Sequence, residues 1–158
     1  MAKAKKSALI EAGQNTAEVL AIDLFTPELK QLFDGLDPKL PVVIISEGLI
    51  NYFNKENLHN LWQSFADYGK QFPEFHYLTD LYPEPTQHKL AKLIWQSSKL
   101  LKVMSRSAFS FHFQTPNEVI AFFKPLGFQH VTVQQPSQTT TTQHTHLGDL
   151  VWFIHAKL

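Results

Sequence analysis

The sequence predicts an α/β fold with a mostly parallel sheet that ends in an antiparallel hairpin. Three observations carry this: short apolar runs alternate with segments of helical periodicity, helix-capping signals stand between them, and the last third switches to two strand-like runs around a polar stretch. With 158 residues and 44% hydrophobic side chains, one globular domain with a sizeable core is expected.

Taken in order, Lys5 to Ala12 reads as a short helix with Gly13 as its C-terminal glycine. Glu18 to Leu24 is an apolar run suited to a buried parallel strand, and Thr26-Pro27 then supplies an N-cap and a proline for the first helical turn. The four β-branched residues Val42 to Ile45 lack polar alternation, which predicts a central strand covered on both faces. Asn54 is the next N-cap, and Leu58, Leu61, Trp62 and Phe65 then place an apolar stripe along a helix reaching Gly69. Phe75 to Leu81 is a further strand, and Leu90, Leu93, Ile94, Leu100, Leu101 and Met104 mark a helix after Pro85. Thr115-Pro116-Asn117-Glu118 forms a capping box that opens a helix ending before Gly127. His130 to Gln134 and Leu150 to Ala156 read as an antiparallel pair around a threonine-rich loop. Strands alternating with helices in this order imply right-handed crossovers and a largely parallel sheet.

Composition excludes several function classes. Fourteen basic side chains balance fourteen acidic ones, so no basic field exists for a phosphate backbone or an anionic membrane surface. Three lysines among the first six residues are too few for a nucleic-acid arm or a targeting peptide. The absence of cysteine removes disulfides, thiolate metal sites and a cysteine nucleophile. Nothing resembles a signal peptide or a membrane-length apolar run, so a cytoplasmic protein is expected. The eight histidines show no Glu-x-x-His or His-x-x-x-His spacing, and His144-x-His146 lies in a polar loop, so no metal is expected. No Gly-x-Ser-x-Gly elbow, Walker loop or Gly-x-Gly-x-x-Gly turn occurs.

In open α/β sheets, ligands bind outside the carboxyl ends of the strands, which singles out Asp23, Ser46-Glu47-Gly48 and Thr79-Asp80. Glu47 follows four β-branched residues, so its carboxylate must leave the strand for a crevice or suffer desolvation, and Gly48 lets a ligand or another backbone approach closely. Asp23 can serve a ligand amine or hydroxyl, and equally can be a capping or turn aspartate. Phe109, Phe111 and Phe113 alternate with polar residues, so they form either a wall of core or a substrate wall. His76 and His155 fall within strands, where an imidazole on an exposed face is the ordinary expectation.

The segment Ile45-Ser46-Glu47-Gly48-Leu49-Ile50-Asn51-Tyr52-Phe53 resembles the "EG-L-x-Y" motif of the leucine carboxyl methyltransferase family, which includes polyketide O-methyltransferases. Ala21-Ile22-Asp23-Leu24 resembles its third-strand "D-L" motif, while Tyr77 to Leu81 and Gly148 to Trp152 fall where the family has later strands. Lys6 to Gly13 resembles the family's helix before strand three. The resemblance covers nearly the whole chain and implies an S-adenosylmethionine-dependent methyltransferase with a Rossmann-like sheet. It implies that Asp23 and Leu24 contact the adenine and that Glu47 lines the cofactor. The implied reaction is displacement at the sulfonium methyl by a carboxylate or hydroxyl oxygen of a small-molecule substrate.

The sequence departs from the family in lacking the glycine-rich cofactor turn and the acidic residue for the ribose, so the sheet is expected to be incomplete. The family's strand order resembles 3-2-1-4-5-7-6, which puts two missing strands and roughly 14 Å between strands three and four at the usual neighbour spacing. Three expectations follow: a truncated or split enzyme, weak or inactive alone; a gap filled by a second copy or by a separately encoded N-terminal half; or a non-catalytic module recruiting another chain through its sheet edge. Inward pairing of Val19 to Leu24 with Val42 to Ile45 would close the gap within one chain, giving five strands.

Overall fold

The computed structural model describes residues 2–13, 18–84, 110–136 and 151–158. These residues form two units, Met1–Leu36 and Asp37–Leu158.

In the first unit, helix α1 spans Ala2–Glu11, and Gly13 takes a φ of +74°, the left-handed conformation that ends a helix. Helix α2, Pro27–Asp34, begins where Thr26-Pro27 places it, with the Thr26 hydroxyl accepting from the Glu28 N–H. The expected strand at residues 18–24 does not form. Residues 18–23 have no regular structure, with Leu20 exposed, and the chain then turns through Leu24 and Phe25. A lone extended segment gains no ladder hydrogen bonds, so apolar composition by itself does not make it a strand.

The second unit is built on a four-stranded sheet of β1 (Val42–Ser46), β2 (Phe75–Leu81), β3 (His130–Gln134) and β4 (Trp152–Lys157), in the order β1-β2-β4-β3. β1 and β2 are parallel, with Val42 opposite Phe75 and Ser46 opposite Thr79. β4 runs antiparallel to both β2 and β3, so the two closing strands make the expected antiparallel pair. Five-stranded inward pairing is therefore not formed. β1 is an edge strand among the described residues, not a central one, and Val43 and Ile45 are 54% and 75% exposed, so its outer face is not covered as four β-branched residues suggest.

The other face carries the core. Helix α3, Lys55–Gly69, starts at Asn54, whose side chain accepts from the Asn57 N–H, and it buries the predicted stripe of Leu58, Leu61, Trp62 and Phe65. Trp62 stacks on Phe123 of helix α4 (Pro116–Phe123) at 4.1 Å between ring centroids, and both pack near Tyr77 of β2. Such ring contacts add about 0.5–1.5 kcal/mol each beyond area burial. Gly69 is needed where α3 approaches the sheet, because a Cβ there would stand 2.7 Å from Phe75 Cγ. Phe113 is buried edge-on to Phe122 and Phe111 is half-buried, so Phe113 belongs to the core; Phe109 lies outside the described residues. The predicted helix after Pro85 and most of the threonine-rich loop also lie outside them.

Candidate functional site

The carboxyl ends of β1 and β2 lie side by side because the strands are parallel and in register up to Ser46 and Thr79. Beyond Ser46 the chain breaks away at Glu47-Gly48, while β2 continues through Asp80 to Leu81 in its ladder with β4. Gly48 takes a φ of +63°, which only glycine adopts without strain, and a Cβ there would meet nothing within 4 Å. The turn is held from the neighbouring strand: the Gly48 N–H donates to Asp80 Oδ1 at 2.7 Å. Asp80 is therefore a fixed brace, and Glu47 is left exposed, with no hydrogen bond or ion pair among the described residues.

Beneath this crest lies a hydroxyl cluster. Ser46 Oγ donates to Thr79 Oγ1 at 2.8 Å and lies 2.8 Å from the Tyr77 hydroxyl. Burial pushes the Tyr77 phenol above its ordinary value, with Ser46 and Thr79 opposing, so Tyr77 stays a neutral hydrogen-bonding group. The cluster satisfies the polar atoms that the parallel strands bring together at the edge of the core.

A third layer of the crest was not visible in the motif. Asn51, in a 3-10 turn over Ile50–Tyr52, is 2% exposed and ties the chain after β1 to Tyr82 and Ser110 by side-chain hydrogen bonds of 2.8–2.9 Å. His112, two residues beyond Ser110, is 8% exposed, and its Nε2 has no hydrogen-bond partner among the described residues. Burial holds its pKa below the ordinary histidine value, with the backbone of Phe53 opposing and the charge of Lys55 reinforcing.

On the outer face of the sheet, Ile45, Leu78 and Phe153 floor an open concavity of about 430 Å³ that Glu47, Asp80, Gln134 and His155 help to line. The strand alternation explains it: these apolar side chains are the members of each strand that point away from α3 and α4.

Asp23 and Leu24 belong to the first unit. Asp23 Oδ1 accepts from the Phe25 N–H at 3.0 Å, its carbonyl accepts from Thr26, and its own N–H donates to Glu28 at 3.0 Å. It thus builds the turn into α2, and its second carboxylate oxygen makes no hydrogen bond among the described residues. Leu24 is half-buried in that turn. Ser46, Glu47, Gly48, Thr79 and Asp80 are the predicted residues that the structure gathers at one place. No group of three or more histidine, aspartate or glutamate side chains among the described residues could hold a metal ion, and no helix among them is long and apolar enough to cross a membrane.

No protein-family model matches the chain, and no curated protein matches it in sequence. Solved structures do match. The apo structure of the S-adenosylmethionine-dependent methyltransferase SibL aligns with 98% of this chain at 10% identity and a TM-score of 0.57. A candidate methyltransferase from Thermobifida fusca YX aligns with 97% at 12% identity and a TM-score of 0.66. Human N-acetylserotonin methyltransferase, in complex with S-adenosylmethionine, aligns with 94% at 14% identity and a TM-score of 0.50. The chain spans 39%, 58% and 37% of these three proteins. At such identities the likeness is one of architecture: the chain shares the Rossmann-like fold of S-adenosylmethionine-dependent methyltransferases, over part of their length.

Proposed function

We propose that this chain is the C-terminal portion of an O-methyltransferase of the leucine carboxyl methyltransferase type, a single domain over residues 1–158 that is weak or inactive without a glycine-rich N-terminal half. That half would come from a separately encoded chain, or a second copy would fill the gap. The observation that carries this reading is the strand order β1-β2-β4-β3, with its antiparallel β4 between β2 and β3. It corresponds to the 4-5-7-6 end of the order that the resemblance implies, and β1 then presents its open side where the remaining strands belong.

The residues present fit S-adenosylmethionine in part. Within the second unit, Glu47 offers an unengaged carboxylate beside the open backbone of Gly48. The adenine contacts of Asp23 and Leu24 rest on the resemblance alone, with one Asp23 oxygen making no hydrogen bond among the described residues. No glycine-rich turn stands in the sequence for the rest of the cofactor. When bound, the cofactor supplies an electrophilic methyl group, and the protein's task is to align an oxygen nucleophile with it. A carboxylate substrate arrives ionised and needs no base, which agrees with a crest that holds braced hydroxyls and carboxylates and no Ser-His-Asp arrangement.

Isothermal titration tests the reading. The chain alone is expected to bind S-adenosylmethionine no tighter than about 100 μM, since several lost hydrogen bonds at about 1 kcal/mol each remove powers of ten in affinity. Asp23→Ala and Glu47→Ala should weaken this further and His144→Ala should not. Micromolar binding by the isolated chain overturns its incompleteness, and indifference to both acidic substitutions overturns the assigned contacts.

A second reading is favoured by the unpaired side of β1: an interaction module that recruits another chain through this edge without catalysis. Methyl transfer by a reconstituted assembly would exclude it.

A further inference from the structure

On the outer face of the sheet, His76 of β2 and His155 of β4 face each other across the antiparallel ladder, 79 positions apart in the chain. His155 pairs with Leu78 and His76 with Lys157, so the two imidazoles are diagonal neighbours on one face. Their rings stack at 24° with centroids 5.1 Å apart, and His76 Nδ1 lies 2.8 Å from His155 Nε2. Glu74 Oε2 stands 3.5 Å from His76 Nε2. A carboxylate there only accepts, so His76 carries its hydrogen on Nε2 and turns the Nδ1 lone pair toward His155.

We propose that His76 and His155 form a bidentate transition-metal site, selective for Cu²⁺ or Ni²⁺, with water completing the coordination. The distance is the first argument. Two nitrogens each about 2.0–2.1 Å from one ion, at right angles, stand about 2.9 Å apart, whereas a tetrahedral ion requires about 3.3 Å. The observed 2.8 Å is the length of the hydrogen bond between the two rings and lies within about 0.1 Å of the right-angle spacing. Once the shared proton leaves the contact, the rings need only turn to bring both lone pairs onto a square or tetragonal Cu²⁺ or Ni²⁺. The second argument is the outer contact. Glu74 on the far nitrogen of His76 is the carboxylate–histidine arrangement that fixes a ligand's tautomer and ring orientation. It also faces Lys157, whose Nζ is 3.6 Å from Glu74 Oε1, so the local charge is balanced before a cation arrives.

The protons balance simply. Without metal, His155 Nε2–H donates to His76 Nδ1. On binding, that proton moves to His155 Nδ1, so both rings remain neutral and no proton leaves the protein. His155 also lines the 430 Å³ concavity with Leu78 and Phe153. Since the two histidines belong to strands paired six residues deep, the backbone already holds the two rings side by side, and only the proton shift and a turn of the rings separate the hydrogen-bonded pair from the metal-bound one.

The test is titration of the full chain with CuCl₂ and NiCl₂, followed by calorimetry and by electron paramagnetic resonance of the copper form. The expected result is one tight equivalent per chain, with hyperfine coupling from two imidazole nitrogens. His76→Phe and His155→Phe keep a ring in each place and remove the donor, so each should fold, weaken the ion at least about 10-fold and lose one nitrogen coupling. Glu74→Gln should weaken it by about 10-fold. His144→Ala combined with His146→Ala should leave this equivalent intact. Absence of binding, affinity unchanged in both phenylalanine variants, or loss of the equivalent on removing His144 and His146 would overturn the site.

Discussion

Asn51 and Tyr82 are joined in both directions: the Asn51 amide donates to the Tyr82 carbonyl, and its Oδ1 accepts from the Tyr82 N–H, each at 2.9 Å. Asn51 follows β1 and Tyr82 follows β2, so one side chain continues the parallel ladder past the point where the backbones separate. The same amide donates to Ser110 O at 2.8 Å, and Ser110 N–H returns to the Asn51 carbonyl at 2.6 Å. The crest that carries Glu47 and Gly48 is therefore anchored on its far side by a fully satisfied buried amide.

Asn51→Ala should destabilise the protein by about 3 kcal/mol, because three side-chain hydrogen bonds disappear and three backbone groups are left without them. Asn51→Asp should be comparably harmful, since a carboxylate cannot donate to the Tyr82 and Ser110 carbonyls. Urea melts measure both. Retention of the wild-type midpoint by the aspartate variant would show that the two donated bonds contribute little.

Thr115→Ala tests a feature visible in the sequence. Thr115 Oγ1 accepts from the Glu118 N–H at 3.3 Å, the first half of the predicted capping box, while the Glu118 carboxylate reaches one residue beyond the N-cap and accepts from the Gln114 N–H at 2.9 Å. Loss of the cap should cost about 1 kcal/mol and leave cofactor titrations unchanged. An unchanged denaturation midpoint would mean that Glu118 alone holds the helix start.

His112 makes stability depend on pH. Its folded-state pKa lies below the ordinary 6.5, chiefly through burial, so the unfolded chain takes up a proton first as pH falls. The stabilisation is complete above the ordinary value and is lost progressively as pH drops from about 6.5 through the folded pKa. His155, also lowered by burial, acts in the same sense. The carboxylates Asp67 and Glu74 are shifted downward and begin to matter only in more acidic solution. His112→Phe should flatten the melting temperature between about pH 7 and 5. An unaltered slope would assign the dependence elsewhere.

Local chemistry made much of this architecture readable. Asn54, Thr115 and Thr26-Pro27 start helices where their side chains can cap them, and the α3 stripe of Leu58, Leu61, Trp62 and Phe65 is buried as its spacing requires. What failed was context. Val19 to Ile22 is as apolar as a strand but has no ladder to join, and Val42 to Ile45 is as apolar as a central strand but stands at an edge. Neither fact is encoded within the segment itself. At the crest, strand ends pointed to Glu47, Gly48 and Asp80, while the amide bridge of Asn51 and the His76–His155 contact depend on pairing between distant strands. Residues 31 and 79 positions apart share no local pattern.

The last expectation concerns the edge itself. β1 offers five residues, Val42-Val43-Ile44-Ile45-Ser46, with one side unpaired among the described residues and with none of the lysine, proline or bulge devices that blunt natural edges. Its outward residues Val43 and Ile45 adjoin Leu78 and Phe153, both at least 37% exposed, so backbone groups and apolar surface are offered together. The isolated chain should therefore associate as its concentration rises, and sedimentation velocity should show a growing population of larger species. Ile45→Lys should shift that population toward monomer, because a charge at the most exposed edge position must be desolvated before another strand can pair there. Its cost to stability should be within about 0.5 kcal/mol, as for most surface substitutions. A chain that stays monomeric at every concentration, or an Ile45→Lys variant that associates as strongly as the wild type, would show that β1 is not the surface through which this sheet is completed.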